Sequence, residues 1–419
     1  MKILVIGSGG REHAIIHALT RANYAQKITC SPGNAGIAAL VDCVDLDTHA
    51  DIIVFCQTHA IDLVIIGPEQ PLVDGLADAL RAANISVFGP SAKAAQLEGS
   101  KNFTKQLCSK YHIPTAAYAT FDTQADALAY LYTHRAPIVI KADGLAAGKG
   151  VTVAMDDDAA VAAVRECFSG AFGQAGARVV IEEYMEGEEV SFFALCDGIT
   201  AIPFCHAQDH KRAYDGDKGP NTGGMGTYSP CPIFPAAVQA QVMREIIAPT
   251  VAGLASEGVP YIGVLFAGLM LTKTGPKLIE YNCRFGDPET QVMMLRFNGD
   301  LARLLKSCAE GALDAQHLSF SADSAMCVVM AAKGYPASYQ KGSVIRNLDA
   351  ANAIEGVTVY HAGTAKRVDD IVSNGGRVLG VTARATTLKE AQTLAYQAVD
   401  TIDWKQGFCR RDIGAKGLS

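Results

Sequence analysis

Through the first hundred residues, short apolar runs closed by glycine alternate with stretches of helical period. Ile3, Leu4, Val5 and Ile6 predict a buried strand, and residues 63–66 and 85–88 predict two more. Residues 11–20 place Ala14, Ile15, Ala18 and Leu19 on one helical face, and residues 73–83 read as a second helix. Such alternation predicts a parallel, doubly wound sheet. From residue 137 the rhythm changes. Strands are expected at 138–140, 151–153, 179–181 and 191–193, with a helix at 158–168, the pattern of an α+β lobe. A polar, glycine-rich segment at 209–229 is too long for a plain connector. An apolar run at 261–270 and a strand ending at Asn282 come next. Several short strands from Met326 and a helix at 388–402 read as a further module.

Composition narrows the class. A chain of 419 residues needs more than one core. Apolar residues make up 49% and charged residues 19%, as in a folded enzyme. A net charge of -7 argues against nucleic acid or an anionic membrane as the main partner. The 12 cysteines are scattered without a C-x-x-C, which suits small buried hydrophobes in a reducing compartment. No apolar stretch is long enough for a bilayer, and Gly7 and Arg11 interrupt the first apolar run too early for a signal peptide. A soluble, cytoplasmic protein is expected. His13 and His17, like His206 and His210, are four apart outside any H-E-x-x-H, and read as ordinary polar histidines.

Candidate chemistry concentrates at the end of the strand that carries Glu280. Alternation aims Glu280 and Asn282 the same way, setting two hard oxygen donors side by side. Arg284 adds a cation two residues on. This set suits a divalent ion and phosphoryl transfer; ordinary polar residues at a strand end are the alternative. Gly7, Gly9 and Gly10 with Arg11 follow the first strand and open the first helix, a place for an anion or for a tight turn. A nicotinamide site is disfavoured, because Glu12 stands where a third glycine belongs and residues 28–31 hold no acid for a ribose. The loop 141–150 joins two strands and is not a Walker A loop: three residues separate Gly144 from Gly148, and Gly150 replaces the metal-binding Ser or Thr. Its glycines and its cations, Lys141 and Lys149, suit phosphate oxygens. Residues 179–189 run from a strand into an acidic turn, either a solvated charge cluster or a hinge reading an adenine edge.

Taken together, these segments resemble the ATP-grasp superfamily and, within it, the glycinamide ribonucleotide synthetases. The resemblance rests on GSGGREHA from Gly7, GPEQPLVDG from Gly67, KADGLAAGKGV from Lys141, residues 209–229, and EYNCRFGDPETQ from Glu280. KGYP from Lys333, HAGT from His361 and GGRVL from Gly375 extend it over essentially the whole chain. It implies a Rossmann-like pre-ATP-grasp domain at 1–100 and an ATP-grasp domain at 101–325, whose small closing lobe spans about 117–190. A β-rich domain is expected at 326–419, with no later-pathway enzyme expected after it. It also implies a carbon–nitrogen ligase of purine biosynthesis that joins glycine to 5-phosphoribosylamine with ATP, giving ADP and phosphate.

On this resemblance Lys105 and Lys141 hold ATP phosphates, under a loop with Gly144, Gly148, Lys149 and Gly150. Glu182, Glu183, Tyr184 and Met185 take the adenine, and Glu189 the ribose. Glu280 and Asn282 bind magnesium, with manganese as an alternative, and Arg284 faces the transferring phosphoryl group. Gly9, Gly10 and Arg11 lie near the phosphosugar, and Glu69, Lys211, Arg212 and Asn221 complete the substrate side. Asp209 or Asp287 accepts the proton of the attacking amine. Many superfamily members carry a second metal carboxylate on the preceding strand, whereas residues 261–271 contain no acid. A carboxylase or carboxyphosphate-using synthetase is the competing reading. No nucleic-acid or membrane partner is implied, and a monomer or weak homodimer is expected.

Overall fold

A computed structural model describes residues 1–21, 24–145 and 150–418. Gly148 and Lys149 lie outside them. The N-terminal region is a five-stranded sheet whose second, first and fourth strands, Lys27–Pro32, Lys2–Gly7 and Leu63–Ile66, are neighbours. Every pair in it is parallel, as the alternation predicts. The expected helix at 73–83 is two shorter helices, Glu69–Val73 and Leu76–Ala82. Gly75 interrupts it at a φ of +87°, a conformation that costs a side-chain-bearing residue energy.

The small lobe is a four-stranded antiparallel sheet with Val179–Glu183 and Ile138–Ala142 at its centre. Two helices, Gln124–Leu131 and Asp157–Phe168, cover one face. Ile138, Ile140, Ala142, Val179 and Ile181 pack there, so the intervening residues face the opposite way. Residues 191–193 do not belong to this lobe. They lie within Glu188–Asp197, which pairs with Ala201–Asp209 and Ile262–Thr272 in a large antiparallel sheet.

That sheet does not stop at the third module. Gly226–Ser229, inside the polar segment 209–229, pairs with Ala201–Asp209 on one side and Ser324–Ala332 on the other. A single sheet therefore runs from Gly275–Asn282 at one edge through to Arg377–Ala385 and Val357–His361. The polar segment also holds a hairpin, Arg212–Tyr214 with Lys218–Asn221. Helices Gly10–Thr20 and Glu289–Arg296 pack together between the N-terminal and large sheets. Burial of Arg11, Glu12, His13 and Ile16 follows from this, so the first helix is covered well beyond the single apolar face its sequence shows.

Of the histidines read as ordinary polar residues, His13 is buried at this junction and His17 partly so. His361 donates its backbone N–H to His13 Nδ1 at 2.8 Å, and His17 Nδ1 meets the Tyr360 hydroxyl at 3.1 Å. Burial, with His361 and His17 nearby, pushes His13 down to about 3. Burial lowers His17 and His361 to about 4, Arg21 adding to the effect at His17. An unfolded chain takes up these protons near pH ~6.5 while the folded one resists until near pH ~4. Stability is therefore lost as pH falls through that window, by up to about 1.4 kcal/mol per histidine per pH unit. Melting temperatures are expected to drop steeply between about pH 6.5 and pH 5. A level profile there would show that the junction opens before the rest unfolds.

Candidate functional site

Strand alternation builds the first wall. In the small lobe Val139 pairs with Glu182 and Lys141 with Val180, so Lys141 and Glu182 share the face away from the helices. Lys141 Nζ lies 2.9 Å from Glu182 Oε1, and Lys105 Nζ lies 3.1 Å from Oε2. All three side chains are at most 4% exposed. Both lysines are also tied to the strand Gly275–Asn282, Lys141 directly and Lys105 through Thr115. Lys141 donates to the Ile279 carbonyl at 3.3 Å, and Lys105 donates to Thr115 Oγ1, which donates to the Leu278 carbonyl. Glu183 is ion-paired to Lys277 at 3.1 Å, while Tyr184 and Glu189 stand exposed on the rim.

Facing this wall, Glu280 pairs across the large sheet with Gly268, which has no side chain to fill the space beside it. Glu280 and Asn282 are partly buried, and neither side chain has a hydrogen bond or ion pair to a described residue. Burial raises Glu280, but Lys211, Lys141, Lys101 and Arg284 outweigh it and hold its carboxyl below the usual range. Lys101 went unnoticed in the sequence. It sits in the first turn of the helix Lys101–Lys110 and donates to the Gly144 carbonyl at 2.9 Å. A lysine opposing the positive end of a helix was the available signal. Asp143 tethers the start of the loop, accepting from Ser100 Oγ and the Asn102 amide.

An ionised carboxylate and an amide oxygen, both unpartnered and side by side, fit a hard divalent cation that keeps water and phosphate as its other ligands. Among the described residues no cluster of three or more His, Cys, Asp or Glu surrounds them. That is consistent with the acid-free strand Ile262–Thr272.

The residues expected on the substrate side come together from all three regions. Arg284 does not point free. Its Nε lies 3.2 Å from Glu69 and its Nη2 2.9 Å from Glu98, and Glu98 also accepts the Cys283 amide. Arg11 is also engaged locally, by Glu12 at 2.6 Å and by the Phe285 carbonyl at 3.0 Å. Glu12 takes the Gly9 amide at 2.6 Å, so the expected anion turn is closed on its own side chain. The Arg11 amide reaches Asp287 at 3.3 Å, and a Cβ on Gly10 would strike Gln291. Burial raises Asp287, yet Arg377 and Arg11 hold it below the usual carboxylate range. Asp209 goes the other way: burial and then Glu289 raise it well above that range. Lys211 reaches Glu189 at 2.5 Å and feels Glu280. Arg212 and Asn221 pair in the hairpin, with the Arg212 side chain donating to the Gly219 carbonyl.

Family models cover nearly all of this arrangement. The N domain of phosphoribosylglycinamide synthetase matches residues 1–98, its ATP-grasp (A) domain 99–290, and its C domain 325–416. The chain belongs to the phosphoribosylglycinamide synthetase family. It is 58% identical to the phosphoribosylamine–glycine ligase of Mesorhizobium japonicum, over 100% of this chain and 99% of that one. Identity to the Brucella melitensis enzyme of the same name is 56%, over 100% and 98%. The crystal structure of the Thermotoga maritima phosphoribosylamine–glycine ligase superposes with a TM-score of 0.86 at 32% identity, covering 99% of this chain and 100% of that one. A biotin carboxylase from Campylobacter jejuni, solved with a β-γ-ATP ligand, shares the fold at a TM-score of 0.74 and 15% identity, over 97% and 92%.

Proposed function

We propose that the chain catalyses the ATP-dependent ligation of glycine to 5-phosphoribosylamine, forming glycinamide ribonucleotide, ADP and phosphate. The observation that carries this reading is the unpartnered Glu280–Asn282 pair, ringed by Lys101, Lys141, Lys211 and Arg284 from separate segments. Full-length likeness to ligases of that name supports the choice of substrates.

In this reading the nucleotide lies between the small lobe and the strand Gly275–Asn282. Lys105 and Lys141 hold its phosphates, with Gly144 and Gly150 at the ends of the neighbouring loop. Residues 182–185 meet the adenine edge through their backbone, and Glu189 meets the ribose. Magnesium or manganese at Glu280 and Asn282 would supply charge neutralisation on the phosphate oxygens. A carboxylate oxygen of glycine attacks the γ-phosphorus, ADP leaves, and glycyl phosphate forms. The amine of phosphoribosylamine then attacks the acyl carbon, phosphate leaves, and the nitrogen gives up a proton. Asp209 suits that proton better than Asp287, because burial and Glu289 raise its proton affinity, whereas Arg377 and Arg11 outweigh burial and lower that of Asp287. Gly9, Gly10 and Arg11 border the phosphosugar as a turn braced by Glu12, and Glu69 and Glu98 hold Arg284 in place beside the reacting phosphoryl group. Lys211, Arg212 and Asn221 line the polar segment opposite.

The test is ADP release with phosphoribosylamine present, with and without glycine. Release is expected to require glycine and to ignore bicarbonate. A bicarbonate requirement without a glycine requirement would transfer the chain to the carboxyphosphate class, which the fold shared with biotin carboxylases also accommodates.

A further inference from the structure

The GGRVL segment in the C-terminal region has no role in the mechanism above, yet its arginine reaches into the site. Arg377 opens the strand Arg377–Ala385. Its Nη1 donates to the carbonyls of Gly223 and Asp287, each at 2.5 Å, and lies 3.4 Å from that of Gly224. The same nitrogen is 3.6 Å from the Asp287 carboxylate. Tyr335, also from this region, accepts the Gly223 amide on its hydroxyl at 3.1 Å. Gly224 is pressed between two site groups: at a φ of +111°, a Cβ there would lie 2.5 Å from Pro288 and 2.8 Å from an Asp209 oxygen. The guanidinium thus joins two backbone turns that are far apart in sequence, one bearing Asp287 and the other packed on Asp209.

We propose that Arg377 is a positioning residue for the substrate half of the site, through which the C-terminal domain sets the spacing between the 221–226 loop and the Asp287–Pro288 turn. The inference rests on the ligase reading for its substrates. The nucleotide half needs no such support, since Lys105, Lys141 and Glu182 are fixed by the small lobe and the strand Gly275–Asn282. Lysine is a poor replacement, because its ammonium rides on a flexible stem, whereas the rigid guanidinium plane fixes Nη1 between these carbonyls.

The test uses the full chain carrying Arg377→Ala, compared with Arg377→Lys. The expected result is a loss of about 100-fold in kcat/KM for glycine and phosphoribosylamine, the scale of a misplacement near 1 Å. ATP affinity, measured by calorimetry without the other substrates, should stay at the wild-type value. Added guanidinium at low millimolar concentration should restore part of the activity of Arg377→Ala and none of that of Arg377→Lys. Should Arg377→Ala fail to fold, Gly223→Ala tests the same contact, because its Cβ would lie 3.0 Å from the guanidinium carbon and push it aside. That variant should show the same split between substrates and nucleotide. Equal losses for all three substrates, tracking a lower melting temperature, would make Arg377 merely structural and overturn the proposal. So would wild-type kinetics. If wild-type protein itself ignored glycine, the ligase reading would fail instead.

Discussion

Glu280→Gln is expected to lower kcat by about 1,000-fold or more while the protein stays folded. The substitution keeps the volume and removes the charge. Nothing in the fold depends on a bond to this carboxylate, since no described residue pairs with it. What is lost is the hard oxygen donor of the proposed metal pair, and with it the charge that balances Lys101, Lys141 and Lys211 when no metal is bound. A second readout separates this from general damage. ATP binding to the wild type should tighten when magnesium replaces EDTA, and in Glu280→Gln that difference should shrink sharply. Near-normal turnover with an intact magnesium dependence would remove Glu280 from the mechanism.

Glu182→Gln is expected to be the most destabilising single change at the site. Its carboxylate is 3% exposed and neutralises two lysines that are themselves 3% and 4% exposed. Removing one partner from a buried charge set leaves the others uncompensated, at a cost of about 3–5 kcal/mol. Burial already pushes Lys105 down despite Glu182, so the loss of the carboxylate strips away its main support. Phosphates would restore the missing negative charge. Saturating ATP should therefore raise the melting temperature of Glu182→Gln by more than that of the wild type, in addition to the ordinary stabilisation by a bound ligand. Unchanged stability, with the same nucleotide shift in both proteins, would show that the lysines find other anions in the folded chain.

These two residues were legible to different depths. Glu280 stood out because period-two alternation puts it on the same side as Asn282, and the strand has that register. Glu182 was read as part of an adenine hinge. Its pairing with Lys105 and Lys141 joins residues 77 and 41 positions apart, beyond the reach of any local pattern. Arg284 was expected to face the phosphoryl group, and its ties to Glu69 and Glu98 needed two remote helices in place. Lys101 and Arg377 were passed over because a lone cation beside a helix start, or at the head of a strand, carries no periodic signal.

Local order was written in the chain: the parallel N-terminal sheet, the two walls of the cleft, and the glycine turns between them follow from the spacing of apolar side chains and from the backbone freedom of glycine. The tertiary structure alone decided that the large sheet continues through Gly226–Ser229 into the C-terminal region, and which charges meet across the cleft. The reason is range. Periodicity reports which face of a strand or helix is apolar, whereas a buried ion pair is set by packing between elements remote in sequence, where low dielectric makes each partner's position matter.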